Sequence, residues 1–143
     1  AKRLGFRIIV VDDRAEYANA DRFPDADEIH AMPIEQAVRQ IQTTYATYIA
    51  IMTRGHAHDR LVLEAMLPKP HAYLGMIGSV NKRDVIYDVL MKSGFSPDAL
   101  SAVYSPIGLD IGAETPDEIA VSIIAEIISL RSEKRNAWKT ASA

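Results

Sequence analysis

Arg7-Ile8-Ile9-Val10-Val11-Asp12-Asp13 decides the fold. An apolar, β-branched run that stops on two acids has the form of a parallel strand buried on both faces, with charge only at its C-terminal end. Working outward, the chain alternates strand with helix. A short strand over Glu28 to Ala31 precedes Pro33, which opens a helix to about Thr43 with Ile34, Ala37, Val38 and Ile41 at helical spacing. Tyr48 to Met52 reads as the next strand and passes through Thr53-Arg54-Gly55-His56 into a helix from about His58 to Leu67, stopped by Pro68 and Pro70. Ala72 to Ile77 is a further strand, Gly78-Ser79 its turn, and Asn81 to Lys92 a helix that turns Val85, Ile86, Val89 and Leu90 to a core before Gly94 ends it. This alternation predicts an α/β fold with a doubly wound parallel sheet covered by helices on both faces.

The last third departs from the alternation. A short helical turn is expected from Pro97 to Ser101, then a loop with little strand from Val103 to Gly112. Thr115-Pro116-Asp117-Glu118 is a strong helix start, because Thr caps, Pro suits the first helical position and Glu118 completes a capping box. The helix is predicted to reach about Arg131, with Ile119, Ala120, Ile123, Ile124, Ile127 and Ile128 forming its apolar stripe. Residues 1–131 are therefore expected to form one domain, partial at its N-terminus, and 132–143 a polar C-terminal extension.

Composition narrows the function. The chain has 143 residues, 48% of them hydrophobic, enough for one core. Its acids and bases are interspersed at a net charge of -3, without the basic footprint of a nucleic-acid binder. There is no cysteine, which excludes disulfides, thiolate metal sites, iron-sulfur clusters and sulfur relay through a persulfide of this chain. Its apolar stretches are shorter than a membrane span and Ala1 to Phe6 do not read as a signal peptide, so a soluble cytoplasmic protein with no membrane contact is expected.

In folds of this class ligands gather at the C-terminal ends of the strands. Three polar turns fall there: Asp12-Asp13-Arg14, Thr53-Arg54-Gly55-His56 and Gly78-Ser79, which are expected to converge on one crevice. The acids of the first could hold a ribose or amino group and Arg14 a phosphate, or the three could form a surface ion pair that closes the strand end. Gly78 and Ser79 open a helix that also carries Lys82, a set that suits an anion or serves only as a tight turn. His56, His58 and Asp59 invite a metal reading, but not at the spacing of a helical ligand pair, so no metal is assigned: Asp59 is read as a helix cap and His56 as a hydrogen-bonding ligand contact. Pro106 to Pro116 adds two glycines with Asp110 and Glu114, whose acids could face a ligand or serve the following helix.

One part is missing. The acid that holds a ribose normally follows a strand and a glycine-rich turn by roughly 20 residues, and counting back from Asp12 passes Ala1. The first strand and its phosphate loop are therefore expected to lie outside these residues, leaving backbone unpaired between the strand at Arg7 and the strand at Tyr48. Two explanations stand: the chain is a piece of a larger or cleaved protein, or a second chain, including a second copy, supplies the strand.

Taken together, the blocks Val10 to Asn19, Arg22-Phe23-Pro24, Met52 to His56, Gly75 to Ser79 and Pro106 to Ala120 resemble the C-terminal, Rossmann-like domain of the XdhC/CoxI family. The resemblance implies an accessory protein that binds molybdenum cofactor (molybdopterin) as cargo, aids its sulfuration and delivers it to xanthine dehydrogenase or related hydroxylases. On this reading the cargo meets Asp12, Asp13, Arg14, Thr53, Arg54, Gly55, His56, Gly78, Ser79, Lys82, Asp110 and Glu114, and a partner cysteine desulfurase provides the sulfur. The chain then handles a cofactor and has no assignable catalytic residue. An NAD(P)-dependent oxidoreductase and an interaction domain with a vestigial site are the competing readings. The first would need a glycine fingerprint and an acid-base pair that are not visible here.

Overall fold

In the computed structural model, which describes residues 1–141 and the side chains of residues 1–132, the apolar run does form a strand. This strand, β1 (Ile9–Asp12), lies parallel to β2 (Glu28–Ala31) in the register Ile9–Glu28, Val10–Ile29, Val11–His30 and Asp12–Ala31. It is not buried on both faces: Ile9 is 40% exposed and the rest of the strand is half-buried. The reason is the small size of its sheet, since among the described residues β1 pairs with β2 alone. Ile8 and Asp12 give their carbonyls to Glu28 N–H (3.1 Å) and Met32 N–H (3.2 Å). The alternate residues Ile9 and Val11 thus turn their backbone groups to the opposite edge.

The other elements follow the expected order: α1 (Ile34–Gln40), β3 (Tyr48–Ile51), α2 (His56–Met66), β4 (Tyr73–Met76), α3 (Val80–Lys92), α4 (Pro97–Ser101) and α5 (Pro116–Ala141). Strand β3 pairs with β4 in a second two-stranded sheet. The chain divides into two compact units, Ala1–Thr47 with Ile51–Ala72, and Tyr48–Ala50 with Tyr73–Ala143.

In the first unit, Ile34, Ala37 and Val38 of α1 are buried, as are Leu63 and Met66 of α2 and Ile51 at the end of β3. The i, i+3, i+4 spacing of the α1 residues puts them on one face of that helix. Lys69 closes the helix from a distance: its ammonium donates to the carbonyls of Val38 (2.5 Å) and Ile41 (3.1 Å), where the helix end leaves acceptors unmet.

In the second unit β4 is the buried strand, with Tyr73, Leu74 and Met76 all at most 1% exposed. Only Ile86 and Leu90 of α3 join this core; Val85 and Val89, also expected there, are 57% and 39% exposed. The buried pair is spaced i, i+4, a narrower stripe than the four apolar residues suggest. The segment after α4 is less irregular than expected. Tyr104 forms a parallel bridge with Gly75, receiving Met76 N–H (2.9 Å) and donating to Leu74 O (3.0 Å), and Ile107 N–H follows to Met76 O (3.1 Å).

Glu126 of α5 anchors that segment, accepting from the Tyr73 hydroxyl at 2.5 Å and from Gly108 N–H at 3.0 Å. Gly108 sits at φ +90°, and a Cβ there would lie 2.3 Å from Ser122 Oγ, so the loop crosses α5 only because glycine is present. The capping box forms as predicted: Glu118 accepts from Thr115 N–H and Glu114 N–H, both at 2.9 Å, and Thr115 Oγ1 accepts from Glu118 N–H at 3.3 Å. Helix α5 then continues past Arg131 to Ala141. Polarity after Arg131 marks the end of the apolar stripe, not of the helix, because Ser132 to Ala141 contains no Gly or Pro to stop it. The last two residues of the expected extension, 142 and 143, lie outside the described residues.

Candidate functional site

The end of β1 is closed by its own neighbour. Asp12 accepts from Arg14 three times, from Nε at 2.9 Å, Nη2 at 3.0 Å and the backbone N–H at 3.0 Å. The guanidinium hydrogen bond holds the Asp12 carboxyl below its ordinary range, and the pairing raises Arg14 in turn. Arg14 also lies over the Tyr17 ring, 3.7 Å from its centroid, and Arg22 stands 4.6 Å from the same centroid. Asn19 fixes this turn by donating to Ala15 O (3.1 Å) and Glu16 O (3.0 Å) and accepting from Arg22 N–H (3.0 Å). The segment from Arg14 to Arg22 is therefore a cross-braced loop.

Asp13 lies between two guanidinium groups, with Oδ1 3.8 Å from Arg14 Nε. Its carboxylate accepts from Arg54 Nη2 at 3.4 and 3.5 Å, a contact across 41 residues that joins the end of β1 to the turn after β3. Two of the three expected turns are thus brought together within the first unit. In the β3 turn, Gly55 at φ +95° precedes His56, which opens α2 ahead of the expected start at His58. Asp59 is consequently not the cap. It sits inside the first turn of α2, fully buried, and its Oδ1 accepts from Thr53 Oγ1 at 2.6 Å and Thr53 N–H at 3.1 Å, clamping strand end to helix start. His56 and Arg54 are exposed beside it. Among the described residues no group of three or more His, Asp or Glu side chains is gathered as a metal would require.

The remaining expected residues, Gly78, Ser79, Lys82, Asp110 and Glu114, belong to the second unit. Ser79 caps α3, its hydroxyl accepting from Lys82 N–H at 3.3 Å. Gly78, at φ +145°, leaves room for the Lys82 side chain: a Cβ would lie 2.6 Å from Lys82 Cδ. The lysine folds back over the turn and donates to Ile77 O at 3.3 Å. Asp110 and Glu114 are exposed on the loop that Glu126 and Ser122 hold, the latter accepting Leu109 N–H at 3.2 Å.

The arrangement separates two kinds of cation. Arg14 is held by short bonds to Asp12 from Nε and Nη2, whereas Arg54, 58% exposed at its side chain, is held only by long contacts to Asp13. An exposed, loosely held guanidinium at a helix start, with an imidazole next to it, is suited to an incoming anion. Sequence reading passed over Tyr17, Arg22 and Asn19. The Arg14/Tyr17 spacing and an Asn in a turn segment were their signals.

The sequence profile of the family described as the XdhC Rossmann domain matches residues 1–127. A protein of Bacillus subtilis (strain 168), named as a probable subunit of xanthine dehydrogenase, is 36% identical over 131 residues, which cover 92% of this chain and 38% of that protein. The uncharacterized protein YqeB of Escherichia coli (strain K12) is 32% identical over 133 residues, covering 92% of this chain and 24% of the relative. A crystal structure described as a xanthine dehydrogenase from Bacillus halodurans superposes with a TM-score of 0.81 at 32% identity, over 93% of this chain and 38% of that one. The chain thus spans well under half the length of these relatives.

Proposed function

We propose, from the premise that this chain belongs to the XdhC Rossmann domain family, that it serves a xanthine dehydrogenase-type hydroxylase as an accessory protein. It binds molybdenum cofactor as cargo, supports its sulfuration and passes it to the client enzyme. The names of the Bacillus subtilis and Bacillus halodurans relatives support the link to xanthine dehydrogenase. The observation that carries the site is Arg54, exposed and held to Asp13 only at 3.4 Å. Molybdopterin has a terminal phosphate, and this guanidinium can exchange a weak carboxylate contact for a bidentate phosphate contact, with His56 and the first amides of α2 beside it. Asp13 then accepts from donors on the pterin.

The chain has no thiol, so sulfur comes from a partner such as a cysteine desulfurase. The second edge of β1, where Ile9 and Val11 turn their backbone groups, is where a strand from further sequence or from a second chain, including another copy, completes the sheet. Of the two acids that could hold the ribose of NAD(P), Asp12 is paired with Arg14 and Asp13 has only long contacts to arginine, so NAD(P) is the competing ligand that the following test separates.

The test is retention of molybdopterin by the full chain in gel filtration, with the pterin quantified by fluorescence after oxidation. Arg54→Ala is expected to lower retention at least about fivefold, and Arg54→Lys to restore part of it, because one bidentate charged contact is worth about 1.5–3 kcal/mol. Equal retention by Arg54→Ala would sink the assignment. Tight NADPH binding with no pterin retained would favour the oxidoreductase instead.

A further inference from the structure

The turn that carries Arg54 is closed by one buried acid. Thr53 is half-buried and Asp59 fully buried, while residues 54–57 between them are exposed. Asp59 Oδ1 accepts from the Thr53 hydroxyl at 2.6 Å and from Thr53 N–H at 3.1 Å. In a capping box the acid reaches back three residues, to the amide at the helix boundary. Here it reaches back six, past the boundary residue Gly55, which has no side chain to cap α2. Arg54 and Gly55 thus lie inside a loop that the Asp59–Thr53 bonds close.

Little else fixes Arg54. Asp59 N–H donates to Gly55 O at 3.2 Å, but among the described residues the Arg54 backbone has no hydrogen bond of its own. Its side chain has the contacts of 3.4 and 3.5 Å to Asp13. The place of Arg54 is therefore set through Thr53, the residue before it. The Asp59 clamp is a firm anchor, because a fully buried carboxylate cannot exchange its donors for water.

We infer that Asp59 is a positioning residue for anion binding: by holding Thr53 it sets Arg54 where Asp13, and an anion in its stead, can be met. The inference rests on the reading of Arg54 as the anion contact. Asp59 has no exposed surface and touches no ligand itself.

The test uses the full chain with inorganic phosphate as the probe. Binding is followed by backbone amide NMR shifts, and the order of Arg54 by the nuclear Overhauser effect at its side-chain Nε. Thr53→Val keeps the shape of the side chain and removes the hydroxyl donor, whereas Thr53→Ser keeps the donor. Thr53→Val is expected to loosen Arg54 Nε and weaken phosphate at least about threefold, part of the loss from removing a charged contact altogether. Thr53→Ser should hold both readouts near those of the unaltered chain. Added to Arg54→Ala, Thr53→Val should weaken phosphate no further, while lowering the melting temperature equally in either background. Asp59→Ala should act in the same direction as Thr53→Val and further; where it fails to fold, Thr53→Val carries the comparison.

A lower melting temperature with Arg54 order and phosphate affinity unchanged would overturn the inference, since the clamp would then serve stability alone. So would failure of Thr53→Val to fold, or a further loss of phosphate when Thr53→Val is added to Arg54→Ala. Equal phosphate binding by Arg54→Ala would instead strike the cargo reading, and the Arg54 Nε signal would then decide the positioning by itself.

Discussion

Replacing Glu126 by Ala withdraws one acceptor from two donors at once. The Tyr73 hydroxyl, on a residue 1% exposed, donates to Glu126 Oε2 at 2.5 Å, and Gly108 N–H donates to the same oxygen at 3.0 Å. Burial and the adjoining carboxylate raise the Tyr73 phenol far above its ordinary value, so the hydroxyl keeps its proton and must find an acceptor. Each buried donor left unmet costs roughly 1–3 kcal/mol, giving about 2–6 kcal/mol for Glu126→Ala. That is a large part of the 5–15 kcal/mol typical of a whole domain. Glu126→Gln keeps an oxygen for both donors and loses only the charge assistance, roughly 1 kcal/mol. Tyr73→Phe combined with Glu126→Ala should cost less than the sum of the single changes, by about 1–2 kcal/mol, because the Phe removes the donor that the Ala strands. Urea unfolding followed by circular dichroism measures the unaltered chain and the four variants, provided that the slope of the transition is unchanged. A loss below about 0.5 kcal/mol for Glu126→Ala, or an additive cycle, would refute the reasoning.

Two further outcomes are expected. Gly108→Ala places a Cβ at φ +90° and 2.3 Å from Ser122 Oγ, with Ile123 N at 3.0 Å. The left-handed conformation alone costs roughly 1–2 kcal/mol, so a loss of at least about 2 kcal/mol should appear in thermal melts, and a neutral variant would contradict the close crossing. Asp12, Asp27 and Glu118 all have carboxyls held below their ordinary values, chiefly by Arg14, by Lys2 and by the Thr115 amide respectively. Their stabilisation is complete above about pH 5 and is lost as pH falls through the lowered values, so the urea midpoint should be level between pH 5 and 8 and decline below about pH 5. A midpoint that rises on acidification would show the sign to be wrong.

Element order was legible because it rests on local chemistry. Pro33, Pro68, Gly94 and the Thr115–Glu118 box each act on backbone within a turn of themselves, and the corresponding elements lie where those residues put them. Burial was less legible because it depends on which elements become neighbours. Ile9 and Val85 are apolar residues in regular elements, yet both are exposed, since nothing in either unit's sequence announces how many strands or helices cover them. In the candidate site, residue types at the strand ends were readable. Their pairing was not, because Asp12 and Asp13 are adjacent acids in sequence and only geometry gives Asp12 the short bonds to Arg14 and sets Asp13 between Arg14 and Arg54. The Tyr73–Glu126 bond spans 53 residues and leaves no local trace.

The division of the chain bears on how it could be dissected. Tyr48–Ala50 group with the residues from Tyr73 onward, although the sequence on either side of them groups with the first unit. No single cut therefore yields two self-sufficient fragments: cleavage after Ala72 strips β4 of the strand it pairs with, and leaves β3 behind with its ladder open. Each half would carry a bare strand edge, a template for mispairing with other copies. Truncation products of this chain are accordingly expected to precipitate, and a separable second half would have to be built by circular permutation that carries β3 with it.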